Sequence, residues 1–487
     1  MEMKRILPLF IAVIFSVSIK GVAQIDSTAK KWTLREIVDY AVSNNLTVKR
    51  SLYGVETGEI NFLQSKMAML PTLNASGSYS GNWGRTINPA TNNFTENRTV
   101  TSNLSASASL LLWNGFRLFY SMKQSDAELD AANEDLIKAR NDVILNVITL
   151  YLNVVFNKEL LAVAQFQVKS TKEQLDRTKK LSDAGSVPKA DVLNLDAQFA
   201  TNELNVIQRE NDLNLSLLQL KQALQLPAST SMDVELPQID IEAEAAITKS
   251  AEEIFEIATM SMPEIKAAEL RKKSSSYAYQ SAKGNLYPRL SANGSFSTLY
   301  SDQFQRFFSD GTSTTGYPTI GYVNGDISQP VQGPNQITVP GGELRVPGIT
   351  DQYRDNRGRS VGLTLQIPVF NGLQSRSSIQ RAAINRELAD ITLLETKNSL
   401  RQIVETAYNN AQAAIKTYQS TDKQVKSRDE AFRMTKQRFN LGAVNFVDYQ
   451  IAENNLFQAQ SDLLRAKYDF IFRKKVLDFY QGLPLGF

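Results

Sequence analysis

Residues 181–192 read LSDAGSVPKADV and separate two long helical patterns, and residues 439–449, which read FNLGAVNFVDY, do the same near the end of the chain. A glycine between two helical patterns is typical of a helix end. Three residues recur at a constant spacing of 257 positions: Gly185, Val187 and Asp191 return as Gly442, Val444 and Asp448. The two stretches therefore predict two helical hairpins with equivalent tips, in a chain built from an internal twofold repeat.

Long runs with apolar residues at every third or fourth position flank both tips, as expected of helices that pack along one face. The predicted hairpins cover residues 117–226 and 374–481. Each begins after a similar sequence, LWNG at 112–115 and VFNG at 369–372, again 257 positions apart. A fold that is mainly α is the expectation for this part of the chain.

Four other segments alternate strictly between two classes of residue, which is the period of a β-strand. Leu, Val, Ala and aromatic residues form one face, and Ser, Asn and Thr form the other. Their length suits tilted strands that cross a bilayer. We expect strands at about residues 73–84, 100–112, 290–300 and 359–369.

The two strands of the second half are separated by a longer segment than those of the first. It lies within residues 301–358 and is rich in Gly, Pro, Asp and Asn. We expect a loop without helix or strand here, placed outside the cell between two membrane strands.

The chain begins as a secretory signal peptide, with Lys4 and Arg5 before an apolar run at 6–19 and small residues at 21–23. We assign residues 1–23 to this signal. Residues 24–227 then form the first repeat, 228–247 a linker and 248–487 the second repeat. Beyond the signal we expect no helix apolar enough to span a membrane, so that the protein enters a membrane only as strands.

The composition excludes most catalytic chemistry, because the chain contains no cysteine and no histidine. Disulfides, thiolate metal sites and histidine bases are therefore impossible, and we expect no catalytic residue, no metal and no cofactor. The net charge of +3 gives no basic surface for a nucleic acid. Paired carboxylates such as Asp351 and Asp355 are the alternative that an enzyme would need, but a glycine-rich loop offers them no pocket.

Four strands of bilayer length cannot close a barrel, and an open sheet edge in hydrocarbon leaves backbone groups without partners. Three copies would supply twelve strands, enough for a closed barrel with a wide lumen. The sequence therefore predicts an oligomer.

In the order and doubled spacing of its motifs, the chain resembles the TolC family of outer membrane efflux proteins. The resemblance rests on the signal peptide, the proline junctions at Pro71 and Pro288, the Asn-Gly pairs at 114–115 and 371–372, and the two tips. It covers almost all of the chain after the signal. The family implies a homotrimer with a 12-stranded β-barrel in the outer membrane of a Gram-negative bacterium and a long α-helical barrel in the periplasm.

The resemblance also implies roles for the two tips. In the family the hairpin tips dock a periplasmic adaptor, also called a membrane fusion protein. The matching residues in this chain are Gly185, Ser186, Val187, Gly442, Ala443 and Val444. As helix ends these residues also have a purely structural role, because the glycines provide positive φ and the valines close the tip.

Asp191 and Asp448 lie about one turn into the returning helices, where a carboxylate favours the positive end of the helix dipole. The family resemblance adds a second role for both residues in a periplasmic gate, as carboxylates around a narrowing pore mouth. Four aromatic residues at the predicted strand ends would form a girdle at the bilayer interface, with packing between strands and helices as the alternative: Trp83, Trp113, Tyr300 and Phe370.

The family thus implies an outer membrane channel subunit of a tripartite efflux pump, a passive exit duct for small molecules. Its partners would be a periplasmic adaptor, an inner membrane transporter of RND or ABC type and outer membrane lipid. A duct for type I protein secretion is the alternative within the family. A trimeric coiled-coil surface protein or adhesin with a barrel anchor is the alternative from another class.

Overall fold

The computed structural model describes residues 31–87, 92–95, 98–237 and 247–483. The predicted signal peptide and much of the predicted linker lie outside these residues. The chain divides into two compact units. One comprises Met1–Lys49, Ala139–Ala258 and Gln402–Phe487, and the other comprises Arg50–Lys138 and Thr259–Arg401.

Long helices dominate the described chain. Four of them form the two predicted hairpins, namely α3 (Arg117–Asp183) with α4 (Lys189–Ala223) and α8 (Gln374–Asn440) with α9 (Phe446–Tyr480). The shorter helices are α1 (Leu34–Asn44), α2 (Leu46–Met67), α5 (Ala251–Ser261), α6 (Pro263–Lys283) and α7 (Ile349–Asp355). In α1, Thr33 and Glu36 form a capping box that satisfies the first backbone amides.

The first unit contains most of the apolar helix packing. A parallel pair of short strands, β1 (Lys31–Trp32) and β6 (Asp233–Val234), lies beside α3. There the Lys158 ammonium contacts the Asp233 carboxylate at 2.6 Å, and the Tyr151 hydroxyl donates to the Glu235 carbonyl at 2.6 Å. The first part of the predicted linker is thus held against α3.

Among the described residues, α3 contains one 18-residue window with a mean hydropathy of 1.5 and at most two charged residues. By length and hydropathy, the expectation that no helix after residue 23 is apolar enough to span a membrane was wrong. Within the first unit, Val147, Tyr151, Val154 and Val155 of this helix are at most 1% exposed. The apolar run is therefore explained by burial inside the protein, since a buried core helix passes the same test.

A four-stranded antiparallel sheet forms the centre of the second unit. Its order is β12-β7-β5-β2, and its strands are β2 (Thr72–Asn82), β5 (Thr99–Trp113), β7 (Arg289–Ser301) and β12 (Gly358–Gln366). The central pair β5 and β7 joins the two repeats, so that β2 and β12 form the two edges. β12 ends before the predicted residue 369 because Pro368 has no N–H for a strand ladder.

The register places the alternating classes on opposite faces of this sheet. Ala75 lies opposite Ala106, which lies opposite Phe296, whereas Ser76 lies opposite Ser105 and then Ser297. In an antiparallel pair, opposite residues share a face. One face is therefore lined by hydroxyl and amide groups and the other by apolar side chains.

The expectation of a structureless segment at 301–358 was wrong. It contains a hairpin of β8 (Arg306–Gly316) and β11 (Ile337–Arg345), and inside it a smaller pair, β9 (Thr319–Tyr322) and β10 (Pro330–Gln332). The short first-repeat loop has its own strand pair, β3 (Thr86–Ile87) and β4 (Phe94–Thr95). Turn residues interrupt the alternation in these strands, which is why the period of two was not visible.

The helix α7 of the same segment packs against β7. Gln352 is 1% exposed, its amide oxygen accepts from the Ser301 N–H at 3.0 Å and its amide nitrogen donates to the Ser301 carbonyl at 3.0 Å. The Tyr353 hydroxyl lies 2.6 Å from the Ser102 hydroxyl. The backbone carbonyl of Tyr353 accepts from the Thr298 hydroxyl. Ser102 and Thr298 are polar exceptions on the apolar face, and α7 explains both.

Both repeats pass from sheet to helix through the same unusual backbone. Gly115 and Phe116 have φ of 65° and 60°, and their counterparts Gly372 and Leu373 have 61° and 64°. A Cβ on Gly115 would lie 2.7 Å from the Tyr287 Cβ and 2.9 Å from the Gly284 carbonyl oxygen, whereas one on Gly372 would meet nothing within 4 Å. Only the first junction is closely packed within one chain.

Gly115→Ala should therefore be far more destabilising than Gly482→Ala. Both glycines have positive φ, which costs an L-residue about 1–2 kcal/mol, but a Cβ on Gly482 meets nothing within 4 Å. Overpacking against Tyr287 should add about 1–3 kcal/mol at Gly115. Thermal and denaturant unfolding of the two purified variants measures the difference, and equal losses would contradict the packing described at Tyr287.

Candidate functional site

The two hairpin tips share one backbone motif. At the first, the Gly185 N–H donates to the Ser182 carbonyl and the Ser186 N–H to the Leu181 carbonyl. At the second, the Gly442 N–H donates to Phe439 and the Ala443 N–H to Arg438. These are Schellman motifs, in which a residue with positive φ ends the helix. Gly185 and Gly442 provide that φ, at 75° and 72°.

The predicted tip residues lie where a partner could reach them. Gly185, Ser186, Gly442 and Ala443 are exposed, and Val187 and Val444 are half-buried. Tip geometry alone accounts for the glycines and valines. Exposed backbone and small side chains also leave room for another protein to approach closely.

The returning helices start differently at the two tips. Asn445 caps α9, and its side-chain oxygen accepts from the Asp448 N–H at 2.8 Å. Pro188 precedes α4 without a side-chain cap, and its carbonyl accepts from the Asp191 N–H at 3.1 Å. Asp448 is exposed and Asp191 is half-buried, each in the first turn of its helix. The helix dipole favours both carboxylates, whatever else they do.

An apolar cluster joins the two hairpins of one chain just above the tips. Leu175 of α3, Leu195 of α4, and Phe446 and Tyr449 of α9 are at most 6% exposed and pack together, with Phe439 of α8 against them. The Phe439 and Tyr449 ring centroids are 4.9 Å apart. All four long helices therefore meet in this cluster, and separating the tips would disrupt it.

Polar contacts between the hairpins continue directly above the cluster. The Gln450 amide donates to the Gln198 amide oxygen at 2.5 Å, and the Ser170 hydroxyl donates to the Glu453 carboxylate at 3.2 Å. Glu453 is 4% exposed. Burial raises the pKa of its carboxyl, against smaller opposing effects of the hydrogen bonds from Ser170 and Tyr449.

The sequence interpretation missed Glu453, although a signal for it exists. Along α9 the buried positions Phe446, Tyr449, Glu453, Leu456 and Phe457 follow helical spacing. An acid on the apolar stripe of a helix is therefore visible from the sequence. Glu453 lies 11 positions after Gly442, outside the tip motif that the repeat defines.

The polar face of the sheet carries a ladder of side-chain hydrogen bonds that crosses all four strands. The Ser76 and Ser105 hydroxyls are 2.7 Å apart, as are those of Ser295 and Ser360. Asn293 accepts from the Ser109 hydroxyl and donates to Thr364. The opposite face is exposed and apolar, with Leu73 at 77%, Val361 at 91% and Leu363 at 70%. One face thus suits water and the other suits lipid.

The four predicted girdle residues lie near strand ends, two at each end of the antiparallel strands. Trp83 follows β2 and is 77% exposed, and Tyr300 lies near the end of β7. Trp113 ends β5, where its ring meets Tyr287 edge to face at 6.1 Å, and Phe370 lies past β12 at 82% exposure. Packing between strand and helix thus accounts for Trp113, whereas Trp83 and Phe370 project outward.

Among the described residues, no group of three or more His, Cys, Asp or Glu side chains could hold a metal ion. Asp351 and Asp355 both pair with Arg354, and Asp355 also pairs with Arg306. Hydrogen bonds from Arg354 and then from Arg306 hold the pKa of Asp355 below its ordinary value. These carboxylates stabilise the loop around α7.

Comparisons with known proteins agree with this geometry. The sequence model of the family described as outer membrane efflux protein matches residues 38–225 and 342–477, more than half of the chain. The chain is 22% identical to the outer membrane protein TolC of Escherichia coli strain K12, over 97% of this chain and 85% of that protein. It is 20% identical to the alkaline protease secretion protein AprF of Pseudomonas aeruginosa, over 91% and 83%.

Solved structures show the same fold. The structure of CusC aligns with a TM-score of 0.72 at 15% identity, over 96% of both chains. That of the outer membrane protein VceC from Vibrio cholerae aligns with a TM-score of 0.71 at 12% identity, over 93% of this chain and 97% of the other.

Asn445→Ala should loosen the start of α9. Loss of an N-cap side chain costs about 1 kcal/mol, so the Asp448 amide should exchange with solvent roughly fivefold faster. Hydrogen exchange resolved at peptides of the second tip measures this. Asn440→Ala is the matched control, because Asn440 lies at the same tip and its side chain accepts from Arg177 and not from a backbone amide of α9 among the described residues. Equal exchange at Asp448 in Asn445→Ala and the unaltered protein would contradict the cap.

Proposed function

Because this chain belongs to the outer membrane efflux protein family, we propose that three copies assemble into one passive duct that carries small molecules out across the outer membrane. The observation that carries the proposal is the four-stranded sheet, which has a hydrogen-bonded polar face and an exposed apolar face. As part of a closed barrel, the polar face lines water and the apolar face meets lipid. Energy would come from an inner membrane transporter.

The sheet edges require the other copies. In hydrocarbon, each backbone N–H or C=O group without a partner costs several kcal/mol. β2 and β12 are the two edges of the sheet in one chain. If β12 of one copy pairs with β2 of the next, three copies close a barrel of twelve strands and the edges disappear.

The internal repeat gives the register of that seam. Within one chain, β5 pairs with β7, and Ser107 lies opposite Ser295. Ser107 corresponds to Thr364 of β12, 257 positions later, and Ser295 corresponds to Ser78 of β2, 217 positions earlier, which is also the spacing between Pro288 and Pro71. Thr364 would therefore lie opposite Ser78 in the neighbouring copy. Both residues belong to the polar face, so the seam continues the water-lined surface.

The sheet-to-helix junctions favour the same arrangement. Gly115 is packed against Tyr287 and Gly284, whereas the equivalent Gly372 has open space. In the first repeat, Leu70 and Met67 hold the places of Tyr287 and Gly284, and they are 55% and 45% exposed. A neighbouring copy would bring these two residues against Gly372.

A pair of charges on the long helices fits the seam too. Within one chain, Lys467 of α9 and Glu159 of α3 lie 3.6 Å apart. The equivalent residues one repeat away are Glu210 of α4 and Lys416 of α8, both exposed. They would form the same pair between neighbouring copies, with the signs reversed. Exposed apolar residues of α4 would be covered in the same contact, namely Leu204, Ile207 and Leu215.

We place the adaptor at the tips and the gate beside them. The exposed backbone at Gly185 to Val187 and at Gly442 to Val444 would dock a periplasmic adaptor, which in turn holds an inner membrane transporter of RND or ABC type. Asp448, and less directly the half-buried Asp191, would line the periplasmic mouth. Trp83, Trp113, Tyr300 and Phe370 would mark the two bilayer interfaces.

Two other functions are candidates, and the sequence and fold weigh differently on each. The name of AprF, an alkaline protease secretion protein, keeps protein secretion as a second candidate, and the same duct would serve it. A barrel-anchored adhesin needs one terminal set of anchor strands, whereas β2 and β5 here belong to the first half and β7 and β12 to the second. We propose no reaction for this chain, because members of its family act as channels.

The seam register predicts one disulfide. In the double variant Ser78→Cys and Thr364→Cys, directly opposite Cβ atoms lie about 4.5–5.5 Å apart, close to disulfide distance. Oxidation should convert most of the protein to covalent trimers on a denaturing gel. Ser80→Cys with Thr364→Cys is the matched control, since its diagonal separation of about 7–8 Å is too long. Monomers in both variants would contradict the seam, and so would trimers only in the control.

Asp448 should determine cation blockade of the duct. In planar bilayers we expect a small conductance that multivalent cations block from the periplasmic side. Asp448→Asn should weaken the blockade about tenfold, because it removes three carboxylates from one ring in a trimer. Asp191→Asn, at the equivalent but half-buried position, should have a smaller effect. Unchanged blockade in Asp448→Asn would remove this residue from the pore mouth.

A further inference from the structure

Glu453 is an acid buried at the point where the two hairpins of one chain meet. It lies two turns into α9 and is 4% exposed. Its carboxylate atom Oε1 accepts from the Ser170 hydroxyl of α3 at 3.2 Å and from the Tyr449 hydroxyl of its own helix at 3.4 Å. The Ser170 contact joins the first hairpin to the second.

The surroundings of Glu453 contain little positive charge to compensate an ionised carboxylate. From α8, Lys436 is the cation that acts on it, while its ammonium lies over the Phe432 ring at 5.7 Å. From α3, Arg177 acts on Tyr449 and donates to Asn440. From α4, the neutral Gln198 accepts a hydrogen bond from Gln450, which lies three residues before Glu453 on α9. Burial therefore raises the pKa of Glu453, with the Ser170 and Tyr449 hydrogen bonds and Lys436 opposing it.

We propose that Glu453 is a proton-controlled latch between the hairpins: neutral, it holds α9 against α3 and the tips stay together, and when ionised it loosens this contact so that the tips separate. The proposal rests on the proposed duct, because separating the tips is what opens the periplasmic mouth. It makes the closed state the favoured one in acid.

The direction follows from where the proton binds more tightly. With its pKa raised in the packed state above the ordinary value of about 4.3, Glu453 holds its proton there and releases it when exposed. Packing is therefore strongest below that ordinary value and weakens as pH rises towards the raised pKa. The ionised carboxylate can regain water only if the helices part.

Two other acids lie near the tips. Asp448 is exposed and Asp191 half-buried, each in the first turn of its helix. Neither bridges the hairpins through a described hydrogen bond of its side chain. The contact between α3 and α9 is therefore assigned to Glu453 and not to these two acids.

The test uses the full trimer in planar bilayers between about pH 4 and pH 8, a range that begins below the ordinary pKa of a glutamate. The open fraction of the unaltered protein should rise severalfold across this range, because the packed state holds the proton of Glu453 more tightly than the open state does. Glu453→Gln is close in shape and does not titrate, so it should remain at the low value found in acid. A full pH response in Glu453→Gln would overturn the latch.

Ser170→Ala separates a latch from a merely structural acid. The Ser170 hydrogen bond favours the carboxylate, so its removal should raise the pKa further and move the midpoint of opening to higher pH. Asp462→Asn is the matched control on the same helix, where Asp462 accepts from Gln458, and it should keep the original midpoint. An unchanged midpoint in Ser170→Ala would contradict the assigned contact.

Thermal unfolding of the same trimers tests the proposal without a conductance measurement. The melting temperature of the unaltered protein should fall as pH rises, and that of Glu453→Gln should fall less. Trimers that never conduct but show this difference would refute the duct and keep the latch. Trimers that conduct while both proteins melt in parallel would refute the latch and keep the duct.

Discussion

Hydrogen bonding at the edges of one small sheet is the constraint on which the rest of the molecule depends. The backbone groups of β2 and β12 that face away from β5 and β7 have no partner within the four-stranded sheet. Water can satisfy them and lipid cannot. Two features of the sequence follow from this constraint. The outer face is apolar, so the sheet is fitted to lipid, and the chain is duplicated, so the edge that one half leaves open is complementary to the edge of another copy.

The repeat also explains why some elements of the fold could be predicted from the sequence and others could not. The helical hairpins, the glycine tips and the two faces of the sheet all follow from periodicity, and the structure has each of them. Single residues in the turns set the ends of elements, as Pro368 does for β12. The strands β8 to β11 were not predicted, because Gly, Pro and Asp interrupt their alternation. Their stability comes from distant pairing, such as Glu343 opposite Phe308, which local pattern does not reveal.

Within the candidate site, the residues at the tips were accessible to sequence reasoning and those above them were not. Gly185 and Gly442 stand out because only glycine fits their φ at little cost. The residue type does not distinguish Glu453 from the other acids of the chain. What distinguishes it is its burial where the long helices meet. Burial raises its pKa, and the hydrogen bond from Ser170, which is distant in sequence and adjacent in space, opposes that rise. The two tips also differ more than their shared motif suggests, since Asn445 caps one and Pro188 leaves the other uncapped.

The charges at the proposed helix seam have a consequence for the repeats as separate objects. The first repeat has Glu159 and Glu210 at the two contact positions, and the second has Lys416 and Lys467. A ring of first repeats alone would bring glutamates together at every contact, and a ring of second repeats alone would bring lysines together. Each half therefore discriminates against itself and favours the other. In the proposed ring, the two repeats would therefore act as complementary subunits joined by a linker, and their charges would favour alternation of first and second repeats.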